Sequence, residues 1–64
     1  MRYVIKEDYS NEVVFTANRL TECEQWCADF AAAHNYGLLR CWELNHVLFR
    51  DCGPRVFRIE TILD

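Results

Sequence analysis

One stretch, Thr21 to Gly37, limits what this chain can become, because it is the only long segment with a helical period. Cys23, Trp26, Cys27, Phe30 and Ala31 recur at i, i+3, i+4, i+7 and i+8, which makes a one-sided apolar stripe. Gln25, Asp29 and Ala32 fall on other sides. Thr21 and Glu24 have the spacing of a capping box, and Glu22 adds a negative charge where the helix dipole favours one. Gly37 is suited to the left-handed conformation that ends a helix. A single amphipathic helix needs a sheet to cover its stripe.

The flanking sequence supplies strands. Arg2 to Lys6 alternates, Glu7 to Glu12 holds the turn formers Asp8, Ser10 and Asn11, and Val13 to Ala17 is β-branched and aromatic, so the first part reads as a hairpin. After the helix, Leu38 to Leu44, Val47 to Asp51 and Val56 to Leu63 read as strands. Turns at Asn45-His46 and at Cys52-Gly53-Pro54-Arg55 separate them. The expected order is ββαβββ: an α+β single domain spanning residues 1–64, with one antiparallel sheet of about five strands and a helix packed on one face. The chain has 64 residues, and a domain of this size buries only ~60% of the surface exposed by its unfolded chain. With 52% apolar residues, including two Trp, three Tyr and four Phe, a core without a staple is within reach.

The period of two permits a finer reading. With Asn45 and His46 as a two-residue loop, Leu44 faces Val47, Trp42 faces Phe49 and Arg40 faces Asp51, all on one side. Val56, Arg58, Glu60 and Ile62 join that side. Leu39, Cys41, Glu43, Leu48, Arg50, Cys52, Phe57, Ile59 and Thr61 take the other. Placing the helix over Leu39, Cys41, Leu48, Phe57 and Ile59 leaves Trp42, Leu44, Val47 and Phe49 on an open face, rimmed by Arg40, Asp51, Arg58 and Glu60. An apolar patch bordered by charge has the composition of a binding site. A one-residue slip would exchange the faces and turn Trp42 and Phe49 into core.

The net charge is −3 and its excess lies early in the chain. Arg2, Lys6 and Arg19 stand against Glu7, Asp8, Glu12, Glu22, Glu24 and Asp29, whereas from Leu38 onward the signs balance. These six carboxylates read either as a solvated face or as an acidic patch for a basic partner surface. Six of the seven basic residues are Arg, a residue enriched at interfaces.

Cys23 and Cys27 share a helix face, and Cys41 and Cys52 share the sheet side turned toward it. Four converging thiols describe a small zinc-stabilised module with a tetrahedral thiolate site, but Cys-x3-Cys followed by gaps of thirteen and ten residues lacks the usual paired knuckles. Reduced core cysteines are the expectation, with no metal and no cofactor. His34 falls in the last helical turn and His46 in a turn, neither beside a candidate nucleophile. No convergent carboxylate pair and no glycine-rich phosphate loop occurs, so the chain reads as a non-enzyme. The N-terminus lacks the pattern of a signal peptide and no apolar run has the ~20 residues of a membrane span, so the expected location is cytoplasmic.

In size, acidity and helix-on-sheet layout the chain resembles the small stand-alone α+β inhibitors made by phages and other mobile elements, including anti-CRISPR proteins. The resemblance implies a protein inhibitor in the host cytoplasm that binds a host defence or transcription complex and covers its nucleic-acid site. No family residue carries over. Two other uses of the Trp42 face remain: single-stranded nucleic acid stacking on Trp42 and Phe49 with Arg40 and Arg58 along the phosphates, which net acidity opposes, and a homodimer formed through an edge strand.

Overall fold

The computed structural model describes residues 1–34 and 40–62. Within them the chain runs β1 (Arg2–Glu7), β2 (Val13–Ala17), α1 (Leu20–Ala33), β3 (Arg40–Leu44), β4 (Val47–Cys52) and β5 (Arg55–Ile62). The expected α+β order holds. All five strands form one antiparallel sheet in the order β2-β1-β5-β4-β3. The first hairpin and the final three-stranded meander join through β1 and β5, so these two inner neighbours come from opposite ends of the chain.

The helix starts earlier than its capping motif suggested. Arg19 is the N-cap, in extended conformation and without a side-chain cap, and Thr21 lies inside the first turn. The Thr21–Glu24 capping box does not form. Glu24 instead accepts a bond from the guanidinium of Arg50 at 3.1 Å. That charge-assisted bond to a nearly buried cation is stronger than a neutral reciprocal cap. At the other end the helix closes at His34, whose backbone N–H and ring Nδ1 both reach the Phe30 carbonyl, at 3.2 and 2.9 Å. Gly37, the expected stop, lies outside the described residues, as do Leu38, Leu39 and Leu63.

The apolar stripe works as its period demands. Cys23, Cys27 and Ala31 are buried against Ile5, Ala17, Cys52, Phe57 and Ile59, with Tyr3, Phe15, Leu20, Trp26, Phe30 and Leu48 packed around them. The helix side of the sheet therefore carries Leu48, Cys52, Phe57 and Ile59, as the alternation predicts. Phe57 holds the centre: its ring meets Trp26 and Phe30 edge-on, at centroid distances of 5.1 and 5.0 Å. Edge-to-face contacts of this kind add about 0.5–1.5 kcal/mol beyond area burial.

The hairpin register also follows the alternation. Leu44 pairs with Val47, Trp42 with Phe49 and Arg40 with Asp51. Asn45 and His46 adopt φ values of 52° and 67°, the two left-handed positions of a type I′ turn, whose twist matches that of the strands.

The first loop is organised by a residue that alternation marks only as a strand end. Glu7 is buried, and its carboxylate accepts the backbone N–H groups of Tyr9 and Ser10. Its backbone bonds Glu12 and Asn11, and Asp8 N–H reaches the Val56 carbonyl at 2.7 Å. These donors, led by Tyr9 N–H, hold the Glu7 carboxyl below the ordinary carboxylate value.

Candidate functional site

The helix packs against β2, β1 and β4 and covers Phe57 and Ile59 of β5 between them. All five residues of β3 are exposed. On the face away from the helix, Trp42 and Phe49 stack in parallel, with ring centroids 5.2 Å apart and planes 3° from coplanar. The pair exists because Trp42 and Phe49 are directly opposed across the hairpin on one face of the sheet. Trp42 keeps 41% of its surface exposed and Leu44 58%. Val47, Phe49 and Val56 are half-buried, and Ile62 is exposed. These residues form an exposed apolar patch at the β3–β4 end of the open face.

The middle of that face is different. Lys6 and Arg58 stand opposite each other on β1 and β5, and Glu60 lies 3.4 Å from each of their cationic groups. Arg58 also reaches Asp8 at 3.3 Å and donates to the Asn11 side-chain oxygen. Arg58 and Glu60, expected on the rim, are thus on the correct face but engaged within the chain. Such exposed pairs add only about 0–1 kcal/mol each, yet together they fix the side chains in place. Arg40 and Asp51 face each other at the outer end with no ion pair between them among the described residues.

Four of the six early carboxylates are engaged within the chain. Glu7 is buried in its loop, Asp8 turns to Arg58, Glu24 turns to Arg50 on the helix side, and Asp29 accepts from Gln25 at 2.8 Å. Glu12 and Glu22 are exposed on separate elements.

The four cysteines do not converge. Cys23, Cys27 and Cys52 are fully buried, but Cys41 is exposed on the edge strand beyond the helix. Among the described residues no three His, Cys, Asp or Glu side chains are grouped closely enough to hold a metal ion. Burial, followed by the neighbouring Cys52, pushes the Cys27 thiol up to about 12. Burial likewise raises Cys23, with Glu22 and Glu24 adding to it, and Cys52, with Asp51 adding to it. The Cys52 thiol donates toward the Cys27 carbonyl at 3.7 Å. These are protonated, inert core thiols.

Two clefts lie on the helix side. One, of about 270 Å³, sits between the first loop and the end of the helix, among Glu7, Glu12, Trp26, Phe30, His34 and Arg55. Neither its aromatic rings nor Glu7 were paired by sequence reasoning. Its rings are stacked on one another, Phe15 on Trp26, Trp26 on Phe30 and Phe30 on His34, so their faces are occupied. The other, of about 320 Å³, lies beyond the helix start between Tyr3, Leu20, Glu43, His46 and Leu48.

Compared with protein-family models, curated proteins and solved structures, the chain matches none of them. No helix among the described residues is long and apolar enough to cross a membrane.

Proposed function

We propose that this protein is a non-enzymatic binding module that recognises a protein partner through the open end of its sheet and acts by occlusion. The observation that carries this reading is the stacked Trp42–Phe49 pair, held across a hairpin and left facing outward beside Leu44 and Val47. A preordered indole loses little rotamer freedom on binding, and Trp is enriched among interface residues whose truncation costs most. The partner class implied by the resemblance to phage-encoded inhibitors is a host defence or transcription complex. A net charge of −3 favours encounter with a basic surface of such a complex, although the carboxylates are dispersed.

Single-stranded nucleic acid is less well supported on the same face. Stacking platforms need a basic track for the phosphates, and here Arg58 and Lys6 are neutralised by Asp8 and Glu60.

The test is affinity capture from the host's lysate with the wild type, Trp42→Ala and Phe49→Ala side by side. Each substitution should weaken capture of the same partner roughly 30-fold or more, about 2 kcal/mol for a central aromatic anchor. Equal capture by all three proteins would remove the open face as the recognition surface.

A further inference from the structure

The two edges of the sheet are built differently. The edge at β2 carries a register irregularity opposite Ile5 and Lys6, and the helix leaves from that strand and packs along it. Bulges and covering helices are the usual protections against unwanted strand pairing. Among the described residues the edge at β3 has neither. Arg40–Leu44 pairs with β4 without a bulge, contains no Pro and no Lys, and is exposed along its full length. Among the described residues no strand lies beyond it.

The turn decides which peptide groups on that edge point outward. In a two-residue hairpin the residues flanking the loop exchange both of their backbone hydrogen bonds. Leu44, and by alternation Trp42 and Arg40, therefore direct their N–H and C=O groups at β4. Cys41 and Glu43 direct theirs outward. A strand that is to join here must offer two outward residues at the same spacing, and β3 itself does so.

We propose that the outer edge of β3 pairs antiparallel with β3 of a second copy of this chain, in the register centred on Trp42. Cys41 then lies opposite Glu43 of the second copy, and Glu43 opposite its Cys41. Both pairs are of the hydrogen-bonded kind and together exchange four backbone bonds. Trp42 faces Trp42 of the second copy in the non-bonded position, where side chains come closest. Arg40 faces Leu44, so no like charges oppose each other. Centring on Glu43 sets two carboxylates face to face, which destabilises a pair. Centring on Cys41 leaves only one bonded pair within Arg40–Leu44. A one-residue slip would oppose residues of different faces. The chosen register turns the two stacked pairs into one aromatic row, Phe49 and Trp42 of each copy, across the joined sheet. Edge pairing thus widens the open face rather than covering it, and the pairing stands on the edge geometry independently of any foreign partner.

The test measures mass by sedimentation, with two substitutions of the same residue. Contacts burying less than ~1,200 Å² are weak, so the wild type should rise from 7.6 kDa toward twice that mass between about 10 µM and 1 mM. Glu43→Pro removes one outward N–H and suits an edge strand, so it should stay at the lower mass with unchanged circular dichroism. Glu43→Cys places a thiol opposite the partner's Cys41. Under oxidised glutathione it should form covalent dimer roughly tenfold faster than the wild type, whose two Cys41 residues sit diagonally. A wild type that remains monomeric throughout would overturn the pairing and leave the edge to a strand of another chain. Equal disulfide formation by wild type and Glu43→Cys would overturn the register. Should Glu43→Pro fail to fold, the Glu43→Cys comparison still decides. Because Glu43→Pro keeps Trp42 and Phe49, it separates the outcomes: captured partner without dimer confirms that the two surfaces act apart, whereas loss of capture in Trp42→Ala alone concerns only the recognition face.

Discussion

Each face of the sheet carries a tryptophan in an aromatic stack, and the two have opposite surroundings. Trp26 stands on the helix between Phe15 and Phe30, with the edge of Phe57 beneath it. Trp42 stacks on Phe49 and keeps 41% of its surface exposed. The difference comes from coverage, since the helix packs on the side of the sheet that carries Phe57 and Ile59, and Trp42 lies on the other. Aromatic content by itself therefore does not separate core from contact surface. The position of a ring relative to the helix does.

The sharpest way to break that contrast is to truncate one ring on each side. Phe57→Ala should cost about 3–5 kcal/mol, as for other buried aromatic truncations, which is enough to unfold much of a small domain. Trp42→Ala should cost under about 1 kcal/mol by chemical denaturation, because its site is already half solvated. Equal losses at the two positions would mean that the open face is structural.

A second effect concerns the ion pair that ties helix to sheet. Arg50 is nearly buried and bonded to Glu24 and to the Phe49 carbonyl. Glu24→Ala should cost about 1–3 kcal/mol in a urea titration, the usual loss for a bond to a charged group. Thr21→Ala should fall within about 0.5 kcal/mol of the wild type, since Thr21 is not the cap and an exposed side chain away from one costs little.

The thiols separate the faces by pH. The folded state holds Cys27 protonated from its ordinary value of 9.0 to about 12, so the native protein binds more protons than the unfolded chain in that window. Stability from this group is complete below about pH 9 and is lost as pH rises toward 12. Glu7 acts with the opposite sign: its carboxyl is depressed, so its contribution is present at neutral pH and is lost as pH falls through the folded value. Thermal melts across pH should show both limbs. At about pH 8, iodoacetamide should label Cys41 alone in the native protein and leave the fold unchanged.

One expected change is a gain. His46 has φ of 67°, a left-handed position that favours glycine. His46→Gly should stabilise the β3–β4 hairpin by about 0.5–1 kcal/mol, read as a raised melting temperature.

Much of the layout was legible because it rests on short-range rules. The period of the helix stripe, the alternation of the strands and the two-residue loop at Asn45-His46 together fixed which side Trp42 and Phe57 take. The capping box failed because Glu24 had a stronger partner 26 residues away, and no local pattern announces such a partner. Nor does any local pattern announce that Asp8 meets Arg58 and Glu24 meets Arg50. Glu7 as loop organiser was missed because the common side-chain turn motifs use Asp or Asn, not Glu.

From the residues alone follow the element order, the pairing across Trp42–Phe49 and the two-sidedness of every strand, since side-chain direction in a strand or helix is set by backbone geometry within a few residues. Only the assembled molecule decided how far the helix reaches, that Cys41 stands apart from the other thiols, and which carboxylate meets which guanidinium. Those outcomes depend on where elements distant in the chain come to rest, and distance along the chain carries no record of it.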